Sequence, residues 1–287
     1  MGRIERILNK VDSFNETGRF EEAIKELKKA IDIAPEDPDV LLSFALTYDG
    51  MNDLESSMSY FHKAIEICPE DAYLWTQYGI TLSRNNKYHH AIKVFQNALM
   101  LDPTYTISKW NLGLTYRSIG HFEEAVNEFT ECLDIEPNSE YFKDEIHYQL
   151  GLCYFDMGWT SEAISEFRKH TDISPDDVFS HLSIGNCYFD LGWIDESVDR
   201  FQFIIDKNPA FIPAYNSLAI SYAEKGWYDE ALETLRGALE IDPNDESVKE
   251  NIDYIQGLKD SEDGLKTIIM YLLLKNKLRT DSFSETN

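Results

Sequence analysis

Prolines recur in this chain at a nearly fixed step: Pro35, Pro69, Pro103, Pro137, Pro175, Pro209 and Pro243 stand 34 residues apart, with one step of 38. Such regularity means that one structural unit is repeated and that each copy buries its apolar face against its neighbours. The unit is legible in residues 112–137, LGLTYRSIGHFEEAVNEFTECLDIEP. Tyr116 follows Gly113 and Leu112 by three and four residues, so the three share one helix face. Gly120 interrupts the pattern, and Ala125, Phe129 and Cys132 form the face of a second helix. Pro137 ends that helix, because proline has no N–H to give to the ladder.

The same corners return along the chain. First helices carry Tyr78 and Gly79; Leu150, Gly151 and Tyr154; Ile184, Gly185 and Tyr188; and Leu218, Ala219 and Tyr222. Second helices carry a small residue and then Phe or Leu: Ala23 and Leu27, Ser57 and Phe61, Ala91 and Phe95, Ala163 and Phe167, Ser197 and Phe201, Ala231 and Leu235. Small side chains let facing backbones approach, and the large rings fill the space that remains. The intervening turns read Gly18, Asn52, Asn86, Gly120, Gly158, Gly192 and Gly226, the two residue types that tolerate a left-handed helix end.

This period and these corners resemble the tetratricopeptide repeat. The resemblance implies an all-α, right-handed superhelical solenoid of antiparallel helix pairs. Seven repeats are expected over residues 4–37, 38–71, 72–105, 106–143, 144–177, 178–211 and 212–245. The four extra residues before the fifth copy, within NSEYFKDE, are expected to lengthen its first helix by about one turn and to project Tyr141 and Phe142 at an edge. A capping helix and a degenerate eighth repeat are expected over residues 246–279, and a disordered tail over 280–287.

A net charge of −26 argues against nucleic acid, whose phosphates need clustered Lys and Arg. The acidic residues read first as a solvating outer surface. Four cysteines without a CxxC pair, two of them (Cys153 and Cys187) at equivalent places, read as buried thiols in a reducing, cytoplasmic setting. The apolar run 268–274 is shorter than the roughly 20 residues a membrane span requires. The start, MGRIERILNK, shows no secretory signal, and Arg6 stands where a myristoylation motif wants Ser or Thr.

No phosphate loop, nucleophile elbow or metal motif is present, so no catalytic residue, metal or cofactor is expected. The nearest to a ligand set is His147 with Cys153 and His181 with Cys187. Six residues correspond to about 600° of helix rotation, which separates each pair on different faces, and the histidines read as packing groups.

What the family resemblance implies is a concave groove, lined by first helices, that binds a peptide segment of a partner. Carried onto this chain, the pattern places Asn9, Ser43, Gln77, Asn111, Gln149, Ser183 and Ser217 in the groove, all uncharged hydrogen-bonding residues suited to an extended backbone. Near the ends of the first helices stand Glu16, Asp49, Arg84, Arg117, Asp156, Asp190 and Glu224, basic in the middle and acidic toward the C-terminus. Trp110, Tyr148, Phe155, Phe179 and Phe189 are expected to add apolar surface, so that a ligand with basic and apolar side chains in the part bound to the C-terminal repeats would be complemented. The places where relatives clamp a C-terminal carboxylate hold Leu8, Asp12, Ser43, Tyr73 and Gln77, the wrong set for that task.

Trp159, Trp193 and Trp227 each follow a turn glycine. They form either an edge interface or, the favoured expectation, a seal folded over the neighbouring turn. The function expected is a non-enzymatic adaptor or scaffold; a peptide-sensing regulator and a non-catalytic substrate-presenting subunit are the alternatives. Self-association through the outer edge of the N-terminal repeat or the C-terminal helix is a further expectation.

Overall fold

A computed structural model describes residues 2–136 and 143–261. The chain forms two compact units, Met1–Ser139 and Glu140–Asn287. The first holds α1 (Arg3–Glu16), α2 (Phe20–Ile31), α3 (Pro38–Gly50), α4 (Leu54–Ile67), α5 (Ala72–Arg84), α6 (Tyr88–Leu101), α7 (Thr106–Ser118) and α8 (Phe122–Ile135). The second holds α9 (Lys143–Asp156), α10 (Thr160–Ile173), α11 (Val178–Asp190), α12 (Ile194–Lys207), α13 (Ile212–Glu224), α14 (Tyr228–Ile241) and α15 (Glu246–Asp260). Among the described residues there is no strand, and the fold is an all-α helical-repeat solenoid.

Each odd-numbered helix through α13 pairs with the one that follows it, and four of the seven pairs are closed by one recurring contact. Phe61, Phe95, Phe129, Phe167 and Phe201 are completely buried, each from a second helix. Four of these rings press on the glycine of the preceding first helix: a Cβ at Gly79, Gly113, Gly151 or Gly185 would lie 2.4–2.7 Å from Phe95, Phe129, Phe167 or Phe201. Real side chains do not approach so closely, so the glycine is a steric requirement of the pair.

The turns between paired helices share one geometry. All seven predicted turn residues, and no other described residue, have positive φ, from 59° at Asn86 to 78° at Gly158. The next residue then donates its backbone N–H to a carbonyl five positions back, as in Lys87 to Leu82 and Trp193 to Tyr188, both at 2.8 Å. These bonds satisfy carbonyls that the helix end would otherwise leave bare.

Asp37, Asp53, Asp71, Asp177 and Asp245 cap helix N-termini with their side chains. In the second unit, α15 closes the described stack with Val248 and Ile255 fully buried. The lengthened front of the fifth repeat, with Tyr141 and Phe142, and the degenerate eighth repeat and tail lie outside the described residues.

Candidate interaction sites

The uncharged row differs between the two units. In the first, Asn9 is exposed and Ser43, Gln77 and Asn111 are half-buried. The side chains of Asn9, Ser43 and Gln77 make no hydrogen bond to other described residues. Asn111 turns back on its own helix, donating from Nδ2 to the Ile107 carbonyl at 2.8 Å. An open cleft of about 710 Å³ lies at the adjoining ends of α4–α5 and α6–α7, lined among others by Ile67, Asp71, Tyr73, Asp102 and Tyr105. The Tyr73 phenol is held above its ordinary pKa, first by burial and then by the negative field of Asp12, Asp39 and Asp71.

That field bears on the carboxylate-clamp positions. Asp12 is itself pushed up by burial and by Glu16. A carboxylate ligand would meet repulsion here, where a cation would relieve it.

In the second unit the row is closed. Gln149, Ser183 and Ser217 are only 8%, 8% and 4% exposed, and Gln149 donates from Nε2 to Glu145 Oε1 at 2.8 Å. The apolar groove surface expected beside it is largely core: Tyr148, Phe155 and Phe189 are buried. Tyr148 packs against Phe167 and His170. Phe179 remains half-buried, edge-on to Phe211, and Trp110 of the first unit leans on Phe129.

The charged residues also arrange themselves differently from a free row. Arg84 is paired with Asp49 at 3.2 Å, and Asp49 further accepts from Asn85 Nδ2 at 2.9 Å. Two of the expected ligand-reading charges thus read each other. Arg117 is half-buried, Asp156 and Glu224 are exposed, and Asp190 is half-buried.

The tryptophans sit at the N-caps of α10, α12 and α14. Each ring lies on the tyrosine of its own repeat: Trp159 on Tyr154, Trp193 on Tyr188 and Trp227 on Tyr222, with centroids 5.8, 5.8 and 5.9 Å apart. The tryptophans remain 51%, 51% and 44% exposed, each with one face on the tyrosine of its own repeat. The backbone bond from each tryptophan to that tyrosine carbonyl fixes the ring above its own repeat.

Descriptions of the tetratricopeptide repeat match residues 38–71, 60–93, 108–139, 144–177 and 212–245, and a TPR repeat model matches 12–52, together well over half of the chain. The chain belongs to the tetratricopeptide-repeat family. No curated protein matches it. Among solved tetratricopeptide structures, the C-terminal part of a repeat protein from Cytophaga hutchinsonii is 16% identical over 85% of this chain and 99% of that one, with a TM-score of 0.69. YrrB, described as having an unusual peptide-binding site, is 24% identical over 66% of this chain and 96% of its own, at 0.54. The pilus biogenesis factor PilW is 19% identical over 73% and 96%, at 0.61. These likenesses show the fold, one whose members are generally protein–protein interaction scaffolds.

The buried histidines are structural. His147 Nδ1 lies 2.7 Å from Glu166, and His170 reaches the Asp144 carbonyl and Asp177. His181 Nε2 lies 2.8 Å from the Pro175 carbonyl. Burial pushes the Cys132 thiol up to about 12, which keeps it protonated. Among the described residues no His, Cys, Asp and Glu cluster is arranged to hold a metal, and no helix is long and apolar enough to cross a membrane.

Proposed function

We propose that this protein is a non-catalytic interaction scaffold that holds an extended, basic segment of a partner protein against the first helices of its N-terminal unit. The observation that carries the reading is the set Asn9, Ser43 and Gln77. Three successive first helices present amide, hydroxyl and amide at one register, with side chains uncommitted to other described residues. An extended backbone offers alternating donors and acceptors that such a ladder can satisfy without reading sequence. Sequence preference then comes from the field around Tyr73, where Asp12, Asp39 and Asp71 favour Lys or Arg.

The test is selection of binding segments from a displayed peptide library by the full chain and by the Asn9→Ala/Ser43→Ala/Gln77→Ala variant. Basic segments should be enriched by the parent protein and lost by the variant, with the thermal unfolding midpoint unchanged. Equal enrichment by both proteins would overturn the assignment.

A further inference from the structure

The position after each turn residue is a slot on the face of the residue five places earlier. In the first unit Arg19 fills it over Phe14, 4.6 Å from the ring centroid, and His121 stacks on Tyr116. In the second unit the slot holds Trp159, Trp193 and Trp227, and the outer faces of the indoles turn to solvent. What such a face receives is visible at Trp227. Lys225 places its ammonium 3.7 Å from the ring centroid and pairs at the same time with Asp195 of the preceding repeat. An indole and a carboxylate thus hold one cation between two repeats.

The equivalents of Lys225 one and two repeats earlier are Leu191 and Met157. Among the described residues no Lys or Arg stands over Trp193 or Trp159. The first turns beside the rings are acidic, with Glu162 on α10, Asp195 and Glu196 on α12, and Asp229 and Glu230 on α14. Asp195 and Asp229 are about four-fifths exposed even though they pair with Lys225 and Lys259, and Glu162, Glu196 and Glu230 complete the acidic edge. The surface therefore joins indole faces to carboxylates, the pairing that attracts Lys and Arg side chains most strongly.

We propose that this tryptophan edge is a second docking surface, taking a Lys- or Arg-bearing segment of a partner protein with its cations over Trp159 and Trp193 as Lys225 lies over Trp227. The surface is separate from the uncharged row of the first unit and does not rest on that reading. A second copy of this chain, at net charge −26, is a poor occupant. The chain's own residues 262–287, which include Lys275, Lys277 and Arg279, are the competing one.

The experiment uses the full-length Asn9→Ala/Ser43→Ala/Gln77→Ala protein as parent, so that the first-unit row cannot take the probe, labelled with fluorotryptophan and read by fluorine NMR, with a short peptide of alternating arginine and serine as probe and a glutamate–serine peptide as control. The basic peptide should shift the Trp159 and Trp193 resonances while those of Trp75 and Trp110 stay in place, and the acidic peptide should shift none. Trp159→Leu/Trp193→Leu keeps apolar contact with Tyr154 and Tyr188 but removes the π face, and should bind the basic peptide about tenfold more weakly. Equal affinity in that variant, or shifts spread over all five tryptophans, would overturn the proposal. If the leucine variant unfolds, the resonance pattern of the parent protein decides alone. Shifts of Trp159 and Trp193 in Lys275→Ala/Lys277→Ala/Arg279→Ala without peptide would overturn it in favour of the chain's own tail. Shifts that grow with protein concentration would do so in favour of self-association.

Discussion

The two units are built on one frame but finish its turns with opposite chemistry. Arg19, Asp53, Lys87 and His121 follow the turn residues of the first unit; Trp159, Trp193 and Trp227 follow those of the second. The backbone is indifferent to the exchange, since every one of these residues donates its N–H to the carbonyl five positions back at 2.8–2.9 Å. The histidines divide the same way: His62, His89, His90 and His121 are exposed in the first unit, while His147, His170 and His181 are buried in the second. A repeat frame fixed by a few corners leaves the remaining positions open to diverge, so two stacks of one family can offer different surfaces.

The most severe test of the shared frame is the ring that closes each pair. Phe129→Ala in the first unit and Phe201→Ala in the second should each cost about 3–5 kcal/mol in denaturant unfolding. Unequal costs would break the claim that both units are closed by one contact. A smaller loss is expected at the glycine beneath. Gly79→Ala and Gly185→Ala should each cost about 1–3 kcal/mol, because the new methyl meets Phe95 or Phe201.

The turn exchange itself should register next. A double-mutant cycle on Tyr188 and Trp193 should give a coupling of about 0.5–1.5 kcal/mol. The same cycle on Leu82 and Lys87 should give close to none, and equal couplings would erase the contrast between the edges.

pH separates the units by their histidines. Burial pulls His170 down, but its bonds to Asp177 and the Asp144 carbonyl outweigh it and hold the imidazole above its ordinary 6.5. Its stabilisation is present in full below 6.5 and is lost as pH rises through the raised folded-state value. His181, kept low first by burial and also by Arg200, works the other way: its stabilisation is lost as pH falls below 6.5. In His181→Gln, protection of α10 and α11 in hydrogen exchange, corrected for intrinsic rates, should therefore fall as pH rises above 6.5, and α3–α6 should stay level. A fall in both units would refute the assignment to His170.

The smallest effect is expected at Lys225. Lys225→Met should alter stability by about 0.5 kcal/mol or less, since its partner Asp195 is mostly exposed. It should nonetheless bare the Trp227 face and raise that residue's response to an arginine peptide.

Much of the frame was legible in the chain itself. Glycine or asparagine at seven turns announced seven positive φ angles, and the Gly–Phe corners announced the contact that closes four of the pairs. Exposure along the first helices was not legible. Gln149 and Asn9 occupy equivalent places by the repeat, yet one is shielded and the other open, a difference that the residue type at that place does not declare. Pairing across repeats is equally hidden: Asp49 and Arg84 are 35 residues apart in sequence, and only helix stacking brings them together. The tryptophans were singled out by their spacing, but their seat on Tyr154, Tyr188 and Tyr222 comes from the turn bond, whose geometry no single residue type declares.

The phenyl ring that rests on a bare backbone lies wholly within one repeat, from Gly185 to Phe201 or from Gly79 to Phe95. The four blocks built this way each carry their own latch, whereas Phe20 of the first block rests on Gly50 of the second. Duplication, deletion or transplantation of one of these four blocks leaves the other three latches shut, whereas a cut placed between glycine and phenylalanine opens one. The natural seams for recombining this molecule are therefore its prolines.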